Sequence, residues 1–145
     1  MLDLKLFSER VDELIFDKNL KAVEFAKLCG ISKSTVYEYL SGRKMPTLKN
    51  LIKIAEFFNV STDYLLGLEK DVYTKNFKSC ISFSTRFNEV LKECSMSRYK
   101  LEQLTGISES VLYYWAKGKT VPTVESLLTV SSALNCSFDY LIGRE

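Results

Sequence analysis

Ala26-Lys27-Leu28-Cys29-Gly30-Ile31-Ser32-Lys33-Ser34-Thr35-Val36-Tyr37-Glu38-Tyr39-Leu40-Ser41-Gly42 is the stretch whose reading decides the fold. Gly30 closes a short apolar-periodic run, and glycine just past a last turn adopts the left-handed conformation that stops a helix. Ser32 then reads as the N-cap of the next helix, its hydroxyl placed to accept an orphan backbone N–H of the first turn. That helix ends before Gly42. The preceding helix spans about Lys21 to Leu28, with Phe25 and Leu28 expected to face inward. Two short helices therefore meet across a glycine-containing turn of about three to four residues.

Outward from this stretch, Val11, Leu14 and Ile15 repeat at helical spacing and predict a helix over about Ser8 to Asp17. On the other side Pro46-Thr47 opens a fourth helix with an apolar stripe of Leu51, Ile52, Ala55 and Phe58. Ser61 caps a last short helix in which Tyr64, Leu65 and Leu66 close a core before Gly67. No strand is expected.

The same organisation then recurs. Phe7 to Gly67 and Phe83 to Gly143 align at a constant offset without insertion, and about 20 of roughly 61 paired positions are identical. Gly30-Ile31-Ser32-x-Ser34 returns as Gly106-Ile107-Ser108-x-Ser110, and Pro46-Thr47 as Pro122-Thr123. Asp63-Tyr64-Leu65-x-Gly67 returns as Asp139-Tyr140-Leu141-x-Gly143. Two copies make a tandem pair, not a stacked array, so each must be a small domain with its own core. The expected division is residues 1–68, a connector 69–82, and residues 83–145. The connector holds Val72, Tyr73, Phe77 and Ile81 without Pro or a Gly/Ser tract, so it is expected to be partly ordered and to pack on one or both domains.

The 145-residue chain is 46% hydrophobic and has no low-complexity tract, which argues for a globular protein. No apolar run approaches a membrane span, and Met1-Leu2-Asp3-Leu4 lacks a signal peptide's basic start, so a cytoplasmic, nucleoid-associated protein with no membrane partner is expected. Cys29, Cys80, Cys94 and Cys136 form no C-x-x-C pair; Cys29 and Cys136 are read as reduced core residues. The chain contains 0 histidines, which removes the commonest general base and zinc ligand. No metal site, cofactor or catalytic activity is expected.

A net charge of +2 says little by itself, but its distribution is informative. Residues 1–17 carry about −3, residues 18–53 about +6, and the matching stretch of the second copy, residues 94–129, only about +1.

Ala26, Gly30 and Val36 stand where a small residue, a turn residue and a branched apolar wedge are needed between two crossing helices. Together with Pro46-Thr47, Leu51, Asn59-Val60-Ser61 and Asp63-Tyr64-Leu65-Leu66-Gly67, the first copy closely resembles the Cro/cI-like (XRE) helix-turn-helix regulators. The second copy resembles them less closely. The resemblance implies an all-α chain of two tandem five-helix, lambda-repressor-like DNA-binding domains. It also implies a recognition helix in the major groove of double-stranded DNA.

Carried onto this sequence, the DNA-facing set is Lys21, Ser32, Lys33, Ser34, Thr35, Tyr37, Glu38, Arg43 and Lys44. Lys33 suits guanine O6/N7 and Glu38 suits cytosine N4. Arg43, Lys44 and Lys21 suit phosphates, whereas Lys49 and Lys53 are read as lining a solvated helix face. The chain departs from the family where a Trp-Glu-Asn-Gly run commonly ends the recognition helix. Here Tyr39-Leu40-Ser41-Gly42 and Trp115-Ala116-Lys117-Gly118 deprive Arg10 and Arg86 of their usual acidic partner. Arg98 stands where a phosphate-contacting glutamine is common.

The second copy replaces Ala26 with Glu102, so a long acid must bend outward or spread the helices. Its recognition helix is led by Glu109 and continues through Ser110, Tyr113, Tyr114 and Trp115. Trp115 is expected in the core and Tyr114 at the surface. Arg98, Glu109, Ser110, Tyr113, Tyr114, Lys117 and Lys119 form a second candidate surface, for DNA or for a protein partner. The leading expectation is a sequence-specific DNA-binding regulator, repressor-type, acting as a homodimer with the first copy as main reader. The alternative is an interaction module, an antirepressor or scaffold that binds little DNA.

Overall fold

A computed structural model describes residues 2–72 and 76–145 and divides the chain into two units, residues 1–75 and 76–145. The described residues contain ten helices and no strand. In the first unit these are α1 (Leu4–Asp17), α2 (Ala22–Cys29), α3 (Lys33–Leu40), α4 (Leu48–Phe58) and α5 (Thr62–Leu65). In the second they are α6 (Phe83–Glu93), α7 (Arg98–Thr105), α8 (Glu109–Ala116), α9 (Val124–Leu134) and α10 (Phe138–Ile142). The all-α, twice five-helix architecture expected from the repeat is the one observed.

Local chemistry sets most of the boundaries. The side chains of Ser32, Thr47 and Ser61 accept N–H groups from Thr35, Asn50 and Tyr64, and Ser108, Thr123 and Ser137 do the same for Val111, Ser126 and Tyr140. Thr47 is thus the cap of α4 and Pro46 lies just outside it, buried. The first helix begins earlier than the apolar spacing suggests, at Leu4 and not Ser8. Asp3 supplies the reason: its carboxylate accepts from the N–H groups of Lys5 and Leu6 and satisfies a turn that the periodicity alone does not reveal.

Each unit closes around its own core. α3 packs on α1 and α2, and α5 packs on α1 and α4; α8 packs on α6 and α7, and α10 on α6 and α9. Phe7, Val11, Phe25, Val36, Tyr39, Leu51, Ile54 and Leu65 are buried in the first unit. Leu14 and Ile52 are only half-buried. Leu28 is a clear correction: it is 63% exposed. Phe25 and the adjacent Ala26 hold the inward stripe of α2, and Leu28 lies about 200° around the helix from Ala26.

The stretch between the copies is tied down at both ends. Leu68 and Glu69 donate their N–H groups to the carbonyl of Asp63, and the Glu69 carboxylate accepts from Ser61. On the other side, the Phe77 ring lies 4.2 Å from the guanidinium of buried Arg144, and the Lys78 N–H donates to the Arg144 carbonyl. The expectation for Tyr73 falls outside the described residues. The four cysteines are half-buried thiols, not core residues, and burial pushes the Cys29 thiol up to about 11.

Gly30 has φ of +75°, and a Cβ there would meet only the Lys53 Nζ, at 3.7 Å. Dihedral cost, not crowding, therefore reserves the position for glycine. Gly30→Ala is expected to destabilise the first unit by about 1–2 kcal/mol, read as a lower urea midpoint at unchanged slope.

Candidate nucleic-acid interface

Between α2 and α3 the chain turns on three residues. Gly30 and Ile31 both donate to the Ala26 carbonyl, which stops α2 and aims the chain into Ser32. Ala26 and Val36 are buried at the crossing, so the two helices approach over a small side chain and a branched one. Lys53 reaches across from α4 to donate to the Gly30 carbonyl at 2.9 Å. This corrects the reading of Lys53 as a solvated surface residue: its ammonium satisfies an acceptor at the turn itself. Lys49 is exposed.

With the inner face of α3 held by Val36 and Tyr39, its outer face presents Lys33, Ser34 and Tyr37 to solvent, with Thr35 and Glu38 half-exposed. Ser32 is occupied in capping and also donates to the Thr35 hydroxyl at 2.7 Å. The Lys33 ammonium stands 6.0 Å from the Tyr37 ring centre. Arg43 and Lys44 lie exposed just past the helix end, and Lys21 lies exposed at the N-cap of α2. Glu38 pairs with Lys44 at 3.9 Å. So loose and solvated a pair contributes about 0–1 kcal/mol and opens readily for another partner. Lys33, Ser34 and Tyr37 on the outer face of α3, with Arg43 and Lys44 just past its end and Lys21 at the cap of α2, offer donors suited to base edges in a groove and phosphates beside it.

The second unit repeats this backbone with different chemistry. Glu102, in the place of Ala26, neither points free into solvent nor splits α7 from α8: its carboxylate accepts the N–H of Glu109 at the start of α8. Ser108 takes the N–H of Val111 on the same turn. An internal anion therefore sits at the positive end of α8, where a carboxylate is favoured by the helix dipole. Arg98 pairs with Glu109 at 3.9 Å and lies over the Tyr113 ring at 5.3 Å. Lys117 also lies near Tyr113, and Lys119 near Tyr114, each at 5.6 Å. Tyr113 and Tyr114 meet edge to face and, with Glu109 and Ser110, line an open groove of about 270 Å³.

A helix-turn-helix family model matches residues 15–65 and again residues 88–141. The chain belongs to the helix-turn-helix family, in its XRE-type branch. It is similar to the HTH-type transcriptional regulator AnsR of Bacillus subtilis (strain 168), at 41% identity over 66 residues, 46% of this chain and 57% of AnsR. It also resembles the HTH-type transcriptional regulator YobD of that organism, at 34% identity over 77 residues, 50% of this chain and 69% of YobD. The cryptic phage CTXphi transcriptional repressor RstR of Vibrio cholerae is 27% identical over 88 residues, 61% of this chain and 79% of RstR. The chain spans less than two thirds of the length of AnsR. No solved structure matches.

In this helix-turn-helix chain Ser32 to Glu38 lie on α3 or its cap, Arg43 and Lys44 follow its end, and Lys21 caps α2; in the second unit Glu109 to Tyr114 lie on α8, Lys117 and Lys119 follow it, and Arg98 opens α7. Arg10 and Arg86 have replaced their lost acid differently. Arg10 donates to the carbonyls of Tyr64 and Glu69, whereas Arg86 holds the Tyr140 carbonyl and pairs with Glu89 and Glu93 on its own helix. Trp115 is buried against Phe83 and Phe87, as its spacing implies. Sequence reasoning missed Lys53 and the destination of Glu102, because each bond joins residues whose proximity only the folded chain creates. Among the described residues no cluster fit to hold a metal is present, and no helix is long and apolar enough to cross a membrane.

Removing the Glu102 carboxylate uncovers a helix-terminal N–H. Glu102→Ala is expected to destabilise the second unit by about 1 kcal/mol, the usual effect of losing an N-terminal acceptor. Amide hydrogen exchange at Glu109 should speed up while exchange in α3 stays unchanged.

Proposed function

We propose that the chain is a sequence-specific DNA-binding transcriptional regulator of repressor type. The domain over residues 1–68 is its main reading head, residues 69–82 are a connector, and residues 83–145 form a diverged head. One observation carries this reading: the exposed start of α3 presents Lys33 and Ser34, flanked by Lys21, Arg43 and Lys44, on a helix-turn-helix scaffold. The names of AnsR and RstR, a regulator and a repressor, support it. Lys33 reads a guanine edge, Ser34, Thr35 and Tyr37 contact neighbouring bases or phosphates, and Glu38 exchanges Lys44 for a cytosine amine. Lys44, once released, joins Arg43 and Lys21 on the phosphates. The regulator acts in the cytoplasm as a homodimer, because lone domains of this size bind weakly and paired heads reach half-sites about 10–10.5 bp apart.

A second reading, an interaction module that binds little DNA, is favoured by one observation. In the second unit Arg98 is half-buried against Tyr113 and Glu109, and the exposed Lys117 and Lys119 each lie 5.6 Å from a tyrosine ring.

Site selection from random duplex DNA with the intact chain decides between the two readings. On a selected site, log affinity should fall with log salt at a slope of about −0.9 per phosphate contact; a flat response, or no enriched sequence, refutes DNA reading. Lys44→Ala should weaken all sequences alike and lessen the slope by about one contact. Lys33→Ala should cost about 1–3 kcal/mol and relax preference at a single base pair.

A further inference from the structure

Two grooves in this chain are opposite in character. The first is an open groove of about 280 Å³ at the C-terminal end of α1, where Phe16 stands 77% exposed beside Leu20 and is ringed by Asp12, Glu13 and Asp17. Phe16 is the most exposed large apolar side chain among the described residues, and with Ile15 and Leu20 it gives the groove an apolar lining rimmed by charge, the pattern of an interaction site. The second groove is the one on α8, with Tyr113 and Tyr114 38% and 44% exposed and Arg98, Lys117 and Lys119 around them. Its single acid, Glu109, already faces Arg98.

We propose that these two surfaces bind each other between chains: the Phe16 patch of one copy docks in the Tyr113/Tyr114 groove of a second copy. The match is one of charge and shape together. Three carboxylates meet Lys117 and Lys119, Arg98 being shared with Glu109, and an exposed phenyl ring meets an edge-to-face tyrosine pair of the kind that favours a third ring at about 4.5–7 Å. Tyr and Arg, present on the cationic side, are the residues that dominate interface energetics. Because every chain carries both halves, the contact is head-to-tail: it closes as a reciprocal pair or continues into longer assemblies. The assembly rests on reading the second unit as a partner surface and is independent of whether α3 reads DNA.

Sedimentation of the intact chain over a range of concentrations and salt tests this. Wild type should associate, more weakly at high salt. Phe16→Ser and Tyr114→Lys, both at exposed positions, should each raise the dissociation constant at least tenfold while the helical circular dichroism is retained. An equimolar mixture of these two variants should recover association, since each supplies the half the other lacks. Asp17→Lys and Lys119→Glu should each disrupt assembly, and their combination in one chain should restore it. A monomeric wild type overturns the proposal. So does loss of association with Tyr114→Lys but not Phe16→Ser, which would mean that the tyrosines pair with their own copies or hold another protein. Failure of the mixture and of the charge exchange to rescue also overturns it. Duplex affinity measured on the same proteins keeps the two readings apart: association without duplex binding removes only DNA reading, and duplex binding without association removes only this interface.

Discussion

In each unit a guanidinium on the first helix reaches a carbonyl at the end of the last. Arg10 donates to Tyr64 and Arg86 to Tyr140, and each lies over the ring of the same tyrosine, at 4.1 and 4.7 Å. Both pairs are 54 residues apart in sequence. Domains of about 60 residues bury only about 60% of their unfolded surface, so tying the two chain ends together matters more here than in a larger protein. The bond is charge-assisted and adds a second donor to a carbonyl that already accepts the N–H of the closing glycine, Gly67 or Gly143. With first and last helices clamped, α2 and α3 are held as a pair across the middle of the unit. The outer face of α3 is thereby freed from structural duty.

That freedom has been used in two ways. In the first unit the interior needs of the crossing are met by Ala26 and Val36, and the exposed face keeps a mixture of cation, hydroxyl and acid. In the second, Glu102 meets the helix end from within the unit, and the outer face becomes aromatic. The backbone course is common to both, since the caps, the left-handed glycines and the arginine clamp occur in each. Divergence has therefore acted on the surface and on the first layer beneath it, and has left the frame in place.

What could be read from sequence follows the same division. Helices, caps and the stops at Gly30 and Gly106 are local, settled by residues within a turn of one another, and the repeat allowed each inference to be made twice. The start of α1 was missed because its determinant, Asp3, lies ahead of the apolar pattern. Leu28 was misplaced because a helix of eight residues offers too little periodicity to fix its inner face. The Lys53–Gly30, Glu38–Lys44 and Glu102–Glu109 bonds depend on where α4, the loop after α3 and the start of α8 fall in space. Composition could nominate those side chains but not their partners.

The aromatic layer beneath the recognition helices has a consequence for how so similar a pair of neighbours folds without confusion. In the first unit Tyr39 packs edge-on against Phe7 and shares a hydrogen bond with Asn50, and the position that matches Phe87 is the smaller, buried Val11. In the second, the bulkier Trp115 takes the equivalent place and meets both Phe83 and Phe87. An exchange of first helices between the copies would put Val11 where Trp115 expects the ring of Phe87, opening a void. It would also force Phe87 into the space of a valine. Voids and overpacking of that kind cost about 1–5 kcal/mol each, a large part of a small domain's stability. Tandem repeats that remain alike are prone to trap one another's segments during synthesis. Here a few core substitutions make each first helix a poor fit for the other's pocket, so the nascent chain can sort its two halves by shape.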